Sequence, residues 1–414
     1  MTDFQTGILT LIRYALSPEE TMPSLPDTFD YGAAYSFVEQ QQLLPLIYYG
    51  ASKTESFLNA PVSFRYMTRA CNYISHSTRQ MEAFNTLTAR LEAEGISYMP
   101  VKGILLKKLY PLPEMRVMGD CDLLIHGKQG RDCKRLMESL GYHLKAKVDH
   151  CNEYKDDTGL VMELHRQLVP KEERDLYAYY GDSWWTARPT DGHPCRYEMH
   201  HEDHFVYLFA HFVKHYRGFG AGIKFVVDFK VFEDAYPDMD KDYIRRELAK
   251  MGLDEFYDNV QRTIAVWFDG APADEITDHL TDRLFNTAVF GSQENGSISE
   301  AYRKTKNASA DGKEGSARTA LLSRRFHLFF LPYSDMKMKY PVLVGWPILL
   351  PLFWIIRGFD ILFNHRDKIQ QEKDMDNQLS GENIAAFRQE MNYVGLDKRP
   401  EKLRRPKPQK NSKK

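Results

Sequence analysis

The chain has 414 residues, 43% of them hydrophobic and 13% aromatic, and a formal net charge of −2. That composition excludes a disordered or collagen-like chain, and the length predicts two or three domains. Near-neutrality disfavours a nucleic-acid partner, but the charge is uneven. Residues 397–414 hold nine Lys or Arg and two acids, a local +7, which leaves −9 on residues 1–396.

Taken in chain order, residues 1–95 read as an N-terminal helical region. Phe4, Ile8, Leu11 and Ile12 fall at helical spacing, and over Arg79–Glu94 the residues Met81, Phe84, Leu87 and Leu91 form one apolar stripe. Gly95 supplies a stop. A small α/β unit follows over 96–197. It contains a short strand at 96–101, a short helix after Lys102-Gly103, and a Pro-containing loop at 111–116. A strand at 117–125, a helix at 129–140 and three further β-type runs complete it, the last two joined by a turn at Asp156–Gly159. Residues 198–290 read as a helical domain and 291–319 as a flexible, Gly/Ser/Ala-rich linker. Residues 320–395 read as a C-terminal helical part and 396–414 as a disordered basic tail.

Cys71, Cys121, Cys133, Cys151 and Cys195 are odd in number and without CxxC spacing, which fits reduced thiols of a cytoplasmic protein. The run from Tyr340 to Phe363 has an apolar stretch, Pro341–Ile356, that is short for a membrane span and interrupted by Pro341, Pro347 and Pro351. It predicts a buried helical segment. The other reading is a partner or peripheral membrane surface, with Trp346 and Trp354 at the interface and the basic tail drawn to anionic lipid.

The residues that point to chemistry are acids. On a strand, i and i+2 share a face, so Asp120 and Asp122 project together while Cys121 and Leu123 turn away. Two carboxylates so placed repel unless a cation lies between them, and hard oxygen ligands suit Mg²⁺. Glu163 stands alone in an apolar run, with Leu160, Met162 and Leu164 on the opposite face, and is the natural third acid. DxD alone is a weak signal. The set of a glycine turn, DxD on a strand and an isolated Glu on a later strand is similar to the polymerase-β-type nucleotidyltransferase superfamily.

The run VKGILLKKLYPLPEMRVMGDCDLLI, with VMELHRQL after it, resembles more closely one family of nucleotidyltransferases in that superfamily. Its pattern is a Lys-Gly and a Tyr-Pro loop, then Arg-x-x-x-Asp-x-Asp-Leu-Leu, then an acid-x-His. LLPLIYYG, the His-x-x-x-His…Asp region around 211–228 and the apolar run at 340 resemble its flanking parts. The resemblance implies an α+β fold, a small mixed-sheet core flanked by N-terminal and C-terminal helical regions. It implies transfer of a nucleoside monophosphate from a nucleoside triphosphate, with loss of pyrophosphate, to a hydroxyl or amine of a small-molecule, sugar or protein acceptor. Asp120, Asp122 and Glu163 would be catalytic and hold two Mg²⁺ ions. Lys102, Gly103 and Arg116 would bind the nucleotide, the alternative for Lys102 and Arg116 being surface ion pairs. His165, His211, His215, Lys224 and Asp228 would line the cleft. The superfamily's turn is usually Gly-Ser or Gly-Gly, whereas Gly103 is followed by Ile104. Asp120→Asn or Asp122→Asn is expected to abolish Mg²⁺-dependent nucleotide binding and to leave the melting temperature unchanged or higher.

Two other readings compete. His193, His200, His201, His204, His211 and His215 cluster in sequence, with i,i+4 pairs that could bind zinc in a hydrolase, although the Glu of HExxH is absent. A non-catalytic, membrane-proximal scaffold is the other. Tyr177, Tyr179, Tyr180, Trp184 and Trp185 could stack on a base or sugar, or serve as core or lid.

Overall fold

The computed structural model describes residues 1–17, 24–181, 183–288, 298–303, 330–364 and 381–398. The chain divides into two compact units. One comprises Met1–Tyr216, Ala221–Phe290 and Val394–Lys414, the other Arg217–Gly220 and Gly291–Tyr393. The stretches divided above at 95 and 197 thus lie within one compact unit.

The first unit opens with helices α1 (Asp3–Leu16), α2 (Tyr31–Gln40), α3 (Leu44–Ala51), α4 (Glu55–Leu58) and α5 (Ser63–Ala93). At the start of α1 the Thr2 hydroxyl accepts from Gln5 N–H and the Gln5 side chain accepts from Thr2 N–H. Such a cap is worth about 1 kcal/mol. The stripe of α5 is buried at Phe84, Leu87 and Leu91. Its end is set by Gly95 at φ +67. That conformation, disfavoured for residues with a Cβ, lets Ile96 N–H reach back to Leu91 C=O at 2.9 Å while the two side chains bury together.

The chain then enters the sheet with β1 (Tyr98–Val101), α6 (Gly103–Leu106), β2 (Asp120–Ile125), α7 (Gly130–Ser139), β3 (His143–Lys147), β4 (Cys151–Lys155) and β5 (Val161–His165). The strand order is β1-β2-β5-β4-β3, with β2 and β5 parallel and every other pair antiparallel. This is the mixed sheet of an α+β fold. β2 starts at Asp120 and not at Val117 because the preceding carbonyls serve side chains. Met118 C=O accepts from Gln80 Nε2 and Val117 C=O from Lys224 Nζ.

The sheet's two faces differ. Cys121, Leu123, Met162 and Leu164 join Phe84, Leu87 and Leu91 of α5 and Cys133, Leu136 and Met137 of α7 in one buried core. Full burial of a side chain such as Leu123 or Met162 contributes about 1.5–3 kcal/mol. Asp120, Asp122, Glu163 and His165 alternate with these residues and occupy the other face.

That face meets the helical half of the unit: α8 (Arg174–Tyr180), α9 (His201–Arg217), α10 (Lys224–Ala235), α11 (Lys241–Lys250), α12 (Asp254–Phe268) and α13 (Glu275–Asn286). Phe209 and Phe212 of α9 pack on Phe229 of α10, each with ring centroids 5.5 Å apart, and Phe212 stacks on Phe256 of α12. This aromatic seam fixes α9 against α10. Residues 396–398, expected in a disordered tail, are packed. Leu396 is buried beside Val394, whose carbonyl accepts from Asn259, and Lys398 pairs with Glu255 at 3.0 Å. Residues 399–414 lie outside the described residues.

In the second unit, helices cover Tyr333–Lys339, Val342–Gly345, Leu350–Asn364 and Gly381–Tyr393. The breaks fall at Pro341 and near Pro347, as the missing N–H groups require, and Pro351 sits in the first turn of its helix. Burial of the apolar run is not observed. Val344, Trp346 and Ile348 are 67%, 65% and 83% exposed, and Leu352, Ile355 and Phe359 are exposed as well. Among the described residues no helix is long and apolar enough to cross a membrane. Of the expected linker 291–319, only 298–303 are described. They are helical, and Ala301 and Tyr302 are buried there, Tyr302 against Phe387.

Candidate active site

The acids come together through strand register. β2 and β5 place Asp122 directly beside Glu163, and Asp120 one pleat away beside Val161. Asp122 is buried and accepts from Lys102 Nζ at 2.6 Å. His165 Nε2 lies 2.7 Å from the same Asp122 oxygen and 3.3 Å from Glu163 Oε2. Asp122, Glu163 and His165 form a group whose ligand atoms lie within 4.8 Å of one another; Asp120 stands outside that group but acts on it through its charge.

Electrostatics separates the two aspartates. Burial alone would push the Asp122 carboxyl up, but the Lys102 ammonium and His165 hold it well below the usual carboxylate range. For Asp120, burial and then the charge of Asp122 push the carboxyl from 3.8 up to about 7. Glu163 is shifted down, first by its hydrogen bond with His165. Asp120 is therefore the acid in need of a cation, whereas Asp122 already has one in Lys102. The donors are oxygens suited to a hard divalent ion, and Asp120, raised first by burial and then by the charge of Asp122, is the acid that such an ion would relieve most. The residues present fit such an ion.

Lys102 reaches Asp122 because β1 pairs Val101 with Asp122 and the chain then turns sharply into α6. The turn's positive φ falls on Lys102 itself, at φ 58 and ψ −128. A non-glycine residue there stores strain of about 1–3 kcal/mol, a cost that is characteristic of functional sites. Gly103 has a different task. A Cβ there would lie 2.8 Å from Arg116 Nη1 and 3.3 Å from Met118 Sδ, so glycine is required for close passage of the guanidinium.

Arg116 is not a surface ion pair. It is buried, with Nε and Nη2 donating to the two oxygens of Asp228 at 2.8 and 2.9 Å, and Tyr110 O–H donates to Asp228 at 2.8 Å. Lys224 Nζ donates to Gln42 Oε1 and Val117 C=O. Burial, then Arg116, lowers Lys224 to about 7, and burial, then Lys102, lowers Lys214 to about 8. Burial holds His211 well below its ordinary value and, with Lys214 beside it, lowers His215 to about 3, so both imidazoles are neutral.

These side chains enclose a cleft of about 670 Å³, counted with its solvent-open mouth. Lys102, Gly103, Arg116, Asp120, Asp122, His211, His215, Lys224 and Asp228 all line it. Glu163 and His165 do not; they sit beside Asp122 in the sheet. Sequence reasoning missed Gln42, which lines the cleft at φ 55, and Tyr110, whose role depends on a partner 118 residues away. Nothing in the local pattern marks either one.

The other candidates go elsewhere. None of His193, His200, His201, His204, His211 and His215 joins a three-ligand group among the described residues. His200 pairs with Glu202, His201 stacks on Tyr236 and His204 packs on Phe232, which removes the basis for a zinc hydrolase on these helices. Tyr177, Tyr179, Tyr180, Trp184 and Trp185 are absent from the cleft wall; Tyr179 O–H donates to Glu247 at 2.7 Å.

A mixed sheet with two aspartates on one strand and a glutamate on its parallel neighbour, below a cleft of mixed charge, is consistent with an α+β nucleotidyltransferase core. The chain belongs to the uncharacterised nucleotidyltransferase family, whose sequence model matches residues 27–269. The match spans every cleft residue, from Gln42 to Phe229, and leaves the apolar segment at 340–363 outside it. No curated protein and no solved structure matches the chain.

Proposed function

We propose that this nucleotidyltransferase moves a nucleoside monophosphate from a nucleoside triphosphate to a hydroxyl or amine of a small-molecule, sugar or protein acceptor, in a Mg²⁺-dependent reaction. The observation that carries the reading is the juxtaposition of Asp120, Asp122 and Glu163 with a cleft wall bearing Lys102, Arg116 and Lys224. Asp120, Asp122 and Glu163 would hold Mg²⁺, which supplies charge neutralisation on the phosphates and the leaving pyrophosphate. Lys102 neutralises Asp122 at 2.6 Å and, from the cleft wall, would offer its ammonium to phosphate oxygens. Arg116, held by Asp228, and Lys224 present further positive charge to the triphosphate. Glu163, hydrogen-bonded to His165, accepts the acceptor's proton. Neutral His211 and His215 offer hydrogen bonds without adding charge.

Thermal scans of the full chain against the four common nucleoside triphosphates, with and without Mg²⁺, test this reading. A stabilisation that needs both triphosphate and Mg²⁺ is expected, and Glu163→Gln, which removes one of the proposed metal ligands, should weaken it and lose transfer. No stabilisation by any triphosphate with Mg²⁺ would overturn the assignment.

A second feature supports a peripheral contact. The exposed apolar residues of 342–359, with Lys337 and Lys339 before them and the basic sequence after residue 397, fit the interface of an anionic bilayer. Flotation with phosphatidylserine vesicles should occur for the full chain and fall at least tenfold for Trp346→Ser/Ile348→Ser. Equal flotation of both proteins would dismiss the contact.

A further inference from the structure

On the acid-bearing face, Glu153 of β4 lies opposite Glu163, and the donors beside His165 are soft. Antiparallel register sets Cys151 of β4 opposite His165 of β5, so the two side chains share that face. His150 directly precedes β4, and its ring centroid is 5.9 Å from that of His165. Cys151 Sγ and one ring nitrogen each of His150 and His165 lie within 4.8 Å of one another. The backbone there is pinned. His150 C=O accepts from Arg166 N–H at 2.7 Å, and Cys151 C=O accepts from Val148 N–H at 3.0 Å.

The hydrogen bonds of His165 decide which nitrogen is available. Nε2 sits between Asp122 and Glu163, both acceptors, and therefore carries a proton that it donates. Nδ1 is buried and has no hydrogen-bond partner among the described residues. An unmet lone pair in the interior is costly. An imidazole that donates from one nitrogen to a carboxylate and presents the other is the arrangement by which proteins orient a histidine metal ligand. The opposite tautomer, needed for a metal on Nε2, would bury an unpartnered N–H and forfeit the bond to Asp122. His165 thus separates two donor sets: carboxylate oxygens on one side, and the thiol of Cys151 with the imidazole of His150 on the other.

We propose that His150, Cys151 and His165 form a Zn²⁺ site of their own, coupled through the His165–Asp122 hydrogen bond to the carboxylates that face the cleft. Sulfur and imidazole donors select zinc, whereas the carboxylate set suits Mg²⁺. Zinc displaces the thiol proton of Cys151 to solvent, and three protein ligands leave a fourth position for water or a donor atom of the acceptor. The bound ion cross-links β4 to β5 and fixes the ring that orients Asp122 and Glu163. This inference does not depend on the nucleotidyl-transfer reading, because its readout needs no nucleotide.

The full chain, expressed without a histidine tag, is analysed for metal and titrated with Zn²⁺ by calorimetry. One tightly held zinc per chain is expected, with affinity at least tenfold lower in Cys151→Ser and in His150→Gln. His150 is only half-buried, so its variant guards against misfolding at the buried Cys151. Reconstitution with Co²⁺ should give a thiolate-to-cobalt charge-transfer band in the near ultraviolet that Cys151→Ser lacks. Absence of zinc with no uptake on titration, equal affinity in the variants, or a cobalt spectrum without the thiolate band would each overturn the site.

Discussion

Asp122→Asn is expected to reduce nucleotidyl transfer by about a thousandfold or more, since loss of metal-based charge stabilisation amounts to several kcal/mol. The same substitution should destabilise the protein, whereas Asp120→Asn should stabilise it while removing activity equally. The reason is the partner of each acid. Asp122 neutralises the Lys102 ammonium at 2.6 Å, and removing one member of a buried pair costs on the order of 3 kcal/mol. Asp120 has no such partner among the described residues, and its carboxyl is raised from 3.8 to about 7. The folded protein therefore holds this proton more tightly than the unfolded chain, so the stability of the metal-free protein falls as pH rises from about 4 to 7 and the loss is complete above that. For Asp122, held low, the contribution is present above the unfolded carboxyl value and is lost as pH falls towards the folded one. Asp120→Asn should thus gain on the native protein at pH 8 and hardly at all near pH 4. Mg²⁺ should stabilise the native protein at pH 8 but not Asp122→Asn. Calorimetric scans at the two pH values decide it: melting shifts of the same sign for both variants would refute the division of roles. Sequence alone led to the expectation that both variants would melt unchanged or higher, because it shows two like charges and not the lysine between β1 and α6.

What could be read from the sequence follows from periodicity. The period of two put Asp120, Asp122, Glu163 and His165 on one face and Cys121, Leu123, Met162 and Leu164 on the other, and the structure has them so. The stripe of α5 and its glycine stop were legible for the same local reason. What depends on distant partners was not. In sequence Arg116 reads as a phosphate contact or a surface ion pair, yet its partner, Asp228, lies 112 residues away on α10. Gly103 looks like a phosphate turn, and only the path of Arg116 shows why a side chain is excluded there. The apolar run after Tyr340 would read identically whether buried or exposed. Its exposure at Trp346 and Ile348 is a property of the packing of the second unit.

Among stability variants, Asp228→Ala should have the largest effect. The carboxylate receives two hydrogen bonds from Arg116 and one from Tyr110, all between buried groups. Its loss leaves a buried guanidinium facing Lys224, which lines the same cleft. Breaking such a pair costs about 3–5 kcal/mol, which at this chain size lowers the melting temperature by roughly five degrees. Asp228 also works at a distance on the nucleotide: through Arg116 it ties the Tyr110–Met118 loop, which feeds into β2, to α10. The conservative Asp228→Asn keeps the hydrogen-bond acceptor without the charge and should lose less stability while raising KM for the triphosphate more than it lowers kcat. The double replacement Arg116→Leu/Asp228→Leu removes both charges. It should recover most of the lost stability but none of the nucleotide affinity, because the guanidinium is gone from the cleft wall. Melting of Asp228→Ala within a degree or two of the native protein, or full nucleotide binding by the double variant, would show that the pair neither holds the loop nor serves the site.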